Sequence, residues 1–232
     1  MRRRLMRAKW VGCTDRMSAP SRNILLTTVE RLIYSAPNYW FVLISDVAGA
    51  AGFLVFGIRH LSGSATVAGV VVIVGFIAWG FLEYVLHRWV LHGRPSMARR
   101  GHARHHADDT ALIGTPALVG VAAACALWAM LSMVFPTDVA CLLVFGLYAG
   151  YNHYALLHHL QHRRGGALTY LAGLERAHRI HHRQHTVNYG VTTTLWDRLF
   201  GTFLPSHESG SHRSVENVAC SPVLDAHGSL SS

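Results

Sequence analysis

The chain has 232 residues, 51% of them hydrophobic and only 14% charged, and its mean hydropathy is positive. A soluble domain carries about 25% charged residues, so neither an ordinary soluble protein nor a disordered chain fits. The net charge of +9 would suggest nucleic acid in a soluble protein; in an apolar one it points to basic loops on the cytoplasmic side of a membrane.

The N-terminal run Arg2, Arg3, Arg4, Arg7, Lys9 has no apolar segment directly behind it, which argues against a secretory signal peptide. Its Arg-rich, acid-poor composition is that of a transit peptide, but we read it as a cytoplasmic basic tail, with Met17 as an alternative start. Residues 23–34 carry apolar side chains at helical spacing, suited to lying along the membrane interface. Residues 1–38 are therefore expected to form a basic tail and interfacial helix.

Four apolar segments then approach the roughly 20 residues needed to cross a bilayer: 39–58, 65–86, 117–135 and 138–157. None contains Lys or Arg. With the N-terminus inside, the inner segments 1–38, 87–116 and 158–232 hold 20 of the 21 basic residues, only Arg59 lying outside. This bias predicts an all-α, multi-pass integral membrane protein of four transmembrane helices in two hairpins. Both termini and a helical, histidine-rich cap are expected on the cytoplasmic side. Residues 39–204 form the expected membrane domain, and the Ser-, His- and Gly-rich stretch 205–232 reads as a flexible tail.

The four cysteines, at 13, 125, 141 and 220, form no C-x-x-C pair, so disulfide-scaffold and cysteine–zinc readings fail. Histidine is the anomaly: 17 residues against 12 Asp and Glu, with 13 of them in the windows 87–106 and 153–185. The first window reads His87-x4-His92, then His102-x2-His105-His106. The second reads His158-x3-His162, then His178-x2-His181-His182. On a helix, positions i, i+3 and i+4 share a face, so each triplet is expected to aim three imidazoles at one point. His87 and His92, five apart, diverge by about 140° on an ideal α-helix and would need a helix end between them or one metal each. Two clusters of five nitrogens suit two metal ions with open positions; Asp and Glu are nearly absent from these windows, so an all-histidine site is the economical reading. His60, His207, His212 and His227 lie outside the pattern.

The stretch Glu83-Tyr84-x2-His87-Arg88-x3-His92, the triplets Gly101-His102-x2-His105-His106 and His178-x2-His181-His182, and the closing Asn188-Tyr189-Gly190-Val191-Thr192 and Leu195-Trp196-Asp197-x2-Phe200-Gly201-Thr202 together resemble the fatty acid hydroxylase / sterol desaturase superfamily. The likeness covers about residues 78–205. The first histidine block and Asp108–Pro116 look most like the fatty acid 2-hydroxylase branch.

The resemblance implies a histidine-only site for two iron ions, dioxygen as co-substrate and oxygen insertion into a C–H bond of a bilayer lipid. It implies that His87, His92, His102, His105, His106, His158, His162, His178, His181 and His182 are the ligands. His153-x4-His158 also fits a motif resembling that of carotenoid hydroxylases, so His153, His159 and His185 remain extra candidates. No haem-binding H-P-G-G motif is present, so electrons are expected from a separate haem or iron–sulfur donor protein and its reductase.

Glu83, one turn before His87, and Asp108 and Asp109, beside the first triplet, are candidates to orient ligand imidazoles. Tyr154, one turn before His158, is a candidate to hydrogen-bond near the metals. Trp196 and Asp197 are expected to anchor the cap, and Arg88, Arg94, Arg99, Arg100 and Arg104 suit anionic lipid heads or an acidic donor. Carotenoid or sterol hydroxylation or desaturation uses the same kind of site and remains an alternative. A divalent-metal transporter is the non-enzyme alternative, but its ligands belong near the bilayer midplane.

Overall fold

A computed structural model describes residues 30–163 and 171–205, and all regular structure among them is helical. Most of the N-terminal tail, residues 23–29 of the interfacial segment, and the tail after 205 lie outside the described residues.

Helix α1, Ala36–Arg59, starts where the Ser35 hydroxyl accepts from the Asn38 N–H and Pro37 occupies the first turn. After a short turn, α2, Ala65–Val85, is capped by Ser64 in the same way and runs directly into a π-helical turn, Leu86–Leu91. Helix α3, Met97–Ala107, is capped by Ser96. Helices α4, Val119–Leu131, and α5, Thr137–Arg163, form a second hairpin. Two short helices follow, α6, Ala172–Arg183, and α7, Leu195–Leu199.

Helices α1, α5 and α2 extended by its π turn are long and apolar enough to cross a membrane. The segment expected at 117–135 is helical only over the 13 residues of α4, about 20 Å at 1.5 Å per residue. Pro116 and the left-handed backbone of Leu118 (φ 63°) delay its start, and it frays into turns before Pro136. The fourth expected segment runs past 157 to Arg163, so His158 and His162 ride on the same helix that crosses the bundle.

Helix α5 is the central post, packed between α1 and α2. Its closest approach to α2 is at Gly75 and Gly146, where a Cβ on Gly146 would sit 2.3 Å from the Val72 carbonyl oxygen. Small residues at a crossing let two backbones meet where lipid offers no hydrophobic drive. At the far end, Asp138 at the start of α5 accepts from the Ser62 N–H and hydroxyl, at 2.8 and 2.7 Å, clasping the α1–α2 turn. At the opposite end, the π turn, α3, α6, α7 and the end of α5 form the cap that carries the histidines.

Candidate metal centre

Ten imidazoles meet in the cap as two groups of five. One ring nitrogen from each of His87, His92, His102, His106 and His181 lies within 4.8 Å of the other four, and the same holds for His105, His158, His162, His178 and His182. These are the ten residues singled out from spacing and resemblance.

The route by which they meet differs from expectation in two places. His87 and His92 are brought together by the π turn. Its i→i+5 bond, from the His92 N–H to the His87 carbonyl at 3.2 Å, stacks positions five apart as an α-helix stacks positions four apart. The two rings lie 5.2 Å apart, so no helix end separates them and both join one group. Gly93 allows the chain to leave this turn, because a Cβ there would fall 1.8 Å from the Trp89 carbonyl oxygen.

The second correction concerns the triplets, neither of which points at one centre. His102 and His106 join the first group while His105 joins the second; His178 and His182 join the second while His181 joins the first. Positions i and i+4 differ by about 40° around a helix and i+3 falls on the other side of i by about 60°. When the groove between the two centres lies over the triplet, that divergence sends the i+3 ring to the other centre.

The donor chemistry fits bound cations. The Nε2 of His102 lies 3.0, 2.9 and 3.0 Å from those of His87, His92 and His106. One imidazole nitrogen makes one hydrogen bond, so three such neighbours describe lone pairs converging on a common point. In the second group His162 Nε2 lies 2.8 Å from that of His178 and 3.3 Å from that of His158. His105 Nε2 is buried and lacks a hydrogen-bond partner among the described residues.

Burial, reinforced by neighbouring imidazoles, holds the cap rings neutral: protonation of His105 is pushed down to about 3, of His106 to about 2 and of His182 to about 4. His102, His178 and His181 move in the same direction. Neutral imidazole is the form that binds a metal.

Outward-facing nitrogens are held by the loop after α6. His87 Nδ1 donates to the Tyr189 carbonyl, and His181 Nδ1 donates to the Val187 carbonyl at 2.8 Å. The intervening Asn188 sits in the left-handed region at φ 52°, held by its amide donating to Leu204 O and its oxygen accepting from Leu204 N. Asn tolerates this backbone better than most residues, the one sequence signal for the feature. Asp197, fully buried, anchors the loop as expected, accepting from the Tyr189 and Gly190 N–H groups at 2.8 Å and the Thr202 hydroxyl at 2.7 Å.

Glu83 does not orient His87. Its carboxylate accepts from Val191 N, Thr192 N and the Thr192 hydroxyl, tying α2 to the same loop, while a backbone carbonyl takes the His87 proton. Asp108 accepts from the Thr110 N–H and hydroxyl, closing a turn. Asp109 faces the second group rather than the first triplet, 3.7 Å from His162 Nδ1. Tyr154 stacks flat on His158, centroids 5.6 Å apart.

The extra histidines stand outside the two groups. His153 packs on Phe76, and His159 Nδ1 is 2.8 Å from the Tyr39 hydroxyl. His185 is solvent-facing, its ring 4.3 Å from that of His106. Of the arginines, Arg88 donates to the Tyr84 hydroxyl and Arg100 pairs with Glu30.

Beneath the cap, between α1, α2 and α5, lies a cavity of about 570 Å³, reached by His87 and His102 of the first group and His105, His158 and His162 of the second. Its walls include Val42, Leu43, Leu86, Val90, Leu112 and Ile113. The strand of chain at 109–116 closes one side, tied down by Arg163 donating to the Thr110 carbonyl and Asn38 donating to the Thr115 carbonyl.

Residues 72–202, more than half of the chain, match the family model described as fatty acid hydroxylase. The chain is 28% identical over 156 residues to the dihydroceramide fatty acyl 2-hydroxylase FAH2 of Arabidopsis thaliana, covering 63% of this chain and 65% of that protein. It is 32% identical over 143 residues to the ceramide very long chain fatty acid hydroxylase scs7 of Schizosaccharomyces pombe, covering 56% and 41%. Its fold is similar to that of a solved scs7p hydroxylase domain, with a TM-score of 0.63 at 21% identity over 77% of this chain and 70% of that one. The matches thus span less than two thirds of these two curated relatives. The chain belongs to the fatty acid hydroxylase family.

Proposed function

We propose that this protein is a membrane-bound lipid hydroxylase that inserts one oxygen from dioxygen into the acyl chain of a fatty acid or a ceramide-type lipid. The observation that carries this reading is the pair of five-imidazole groups opening onto one apolar cavity. The ten histidines would hold two iron ions, one per group. Bound there, iron supplies dioxygen activation for attack on an unactivated C–H bond.

The protein's own contribution is binding and placement. The apolar walls take the acyl chain from the bilayer and exclude water from it. The Val187 and Tyr189 carbonyls fix the tautomers of His181 and His87, so each keeps Nε2 free as a donor atom. Tyr154 holds the His158 ring flat.

The topology we propose has four crossings in two hairpins, α4 being the short arm of the second, with both ends and the cap cytoplasmic. Electrons then arrive from a separate haem or iron–sulfur protein with its reductase. Residues 39–204 are the catalytic membrane domain of this reading.

The test is to express the wild type beside His181→Ala under isotopically labelled dioxygen and to analyse the extracted lipids by mass spectrometry. One labelled oxygen on an acyl chain, in the wild type alone, is expected. Loss of two hydrogens without label would make the protein a desaturase, and label on a sterol or carotenoid would move the substrate class. No lipid change together with no bound iron would overturn the reading.

A further inference from the structure

The cavity under the histidine groups ends at a single level. The lining residue farthest from the cap is Asp46 on α1, Trp79 on α2 and Tyr151 on α5, with Val119 at the start of α4. Asp46 is seven positions beyond Tyr39, Tyr151 seven before His158 and Trp79 eight before His87, which puts the floor about 10–12 Å from the cap on each helix. Below it Ala50, Ala124, Val144 and Tyr148 pack together as a buried cluster.

Three of the four floor residues, Asp46, Trp79 and Tyr151, carry polar groups. The Tyr151 phenol lines this floor together with Asp46, and the Tyr148 hydroxyl donates to Asp46. Asp46 is 1% exposed and takes the Tyr148 proton, while a phenol oxygen such as that of Tyr151 carries lone pairs able to accept. The Trp79 indole stands edge-on to Tyr151, centroids 5.2 Å apart. Its Nε1–H is buried and has no partner among the described residues. Gly150 makes room for it, since a Cβ there would lie 2.5 Å from the Trp79 Cβ.

A buried N–H without an acceptor is costly and rare. On the same floor the Tyr151 phenol oxygen is able to accept. One donor and one acceptor together match a hydroxyl, which needs one of each; a methyl terminus satisfies neither. We propose that Trp79 and Tyr151 bind a hydroxyl carried on the substrate chain, so that the lipid taken by this enzyme already bears an oxygen about 10–12 Å from the carbon held at the histidine groups. This rests on the lipid-hydroxylase reading above and names its substrate class.

The test needs no iron, dioxygen or electrons, so its result stands apart from whether the chain hydroxylates anything. Metal-free, detergent-solubilised protein is titrated with straight-chain fatty amides of increasing length. Each is offered with and without a terminal hydroxyl, in competition with a fluorescent fatty amide. At the length that reaches the floor, the hydroxyl is expected to tighten binding on the order of tenfold. Trp79→Phe and Tyr151→Phe should each erase that gain, so that the hydroxylated and unsubstituted amides of that length bind alike. No gain at any length in the wild type would overturn the proposal without recourse to a variant, as would a gain that survives in both variants.

Discussion

The two histidine groups are built from sequence windows of the same plan, yet they are held differently. In the first group the leading pair is five residues apart on a π turn, and two of its rings are pinned by backbone carbonyls of the loop 187–189. In the second the leading pair is four apart on plain α-helix, and the partner facing it is the exposed carboxylate of Asp109 at 3.7 Å. One centre is fastened by buried backbone, the other by a solvent-facing side chain. Equal numbers of imidazoles therefore do not mean equal rigidity.

The sharpest way to break the comparison is through the two residues that cross. His105→Ala and His181→Ala each remove a ring from the group served mainly by the other window. Both are expected to abolish product and to lower bound iron, with His105→Ala weakening the second centre and His181→Ala the first, as read by metal analysis and iron spectroscopy. If His181→Ala left the first centre's signal intact, the crossing would be wrong.

Next in size is the anchor of the loop. Asp197→Asn replaces a buried carboxylate that takes three hydrogen bonds. It should cost about 2–3 kcal/mol of stability and disturb the first centre more than the second. Thermal unfolding and iron retention at the two centres check this.

Acidification acts on the two centres together. The folded state keeps the cap imidazoles neutral, with His182 titrating at about 4 and His105 at about 3, against an ordinary 6.5. The unfolded chain binds more protons in that interval, so stability must fall as pH drops below about 6.5 toward 4. Metal-free protein should melt at lower temperature at pH 5 than at pH 7, and the loaded protein should lose iron in the same direction. An unchanged melting point and iron content would count against neutral, buried ligands.

The smallest effect belongs to Asp109→Asn. A carboxylate 58% exposed contributes under about 1 kcal/mol, and less in salt, so the second centre should keep its iron. A loss comparable to that of Asp197→Asn would erase the contrast between the two centres.

Much of the site was legible because imidazole is rare and its spacing is local. His158 and His162, or His178 and His182, share a helical face whatever surrounds them. Asp197 was readable as an anchor from the Leu195–Thr202 motif. What escaped depended on distant partners or on unusual backbone. Positions 87 and 92 look incompatible until the helix is known to widen into a π turn, and nothing in Leu86–Leu91 announces it. Glu83 was assigned to the histidine four residues away, but its hydrogen bonds go to residues 191 and 192. The shortness of α4 follows from Leu118 adopting φ 63°, which no propensity suggests. The division of each triplet between two centres depends on how α3 and α6 face one another, which sequence spacing does not contain.

The exchange of His105 and His181 also carries a consequence in time. A chain emerging from the ribosome presents residues 87–106 long before residue 181, so the first group stays one imidazole short until α6 has been made. The second cannot be completed by its own window either, since it needs the ring from α3. Neither centre can form its full set on a partial chain, and full loading must follow completion of the helical cap.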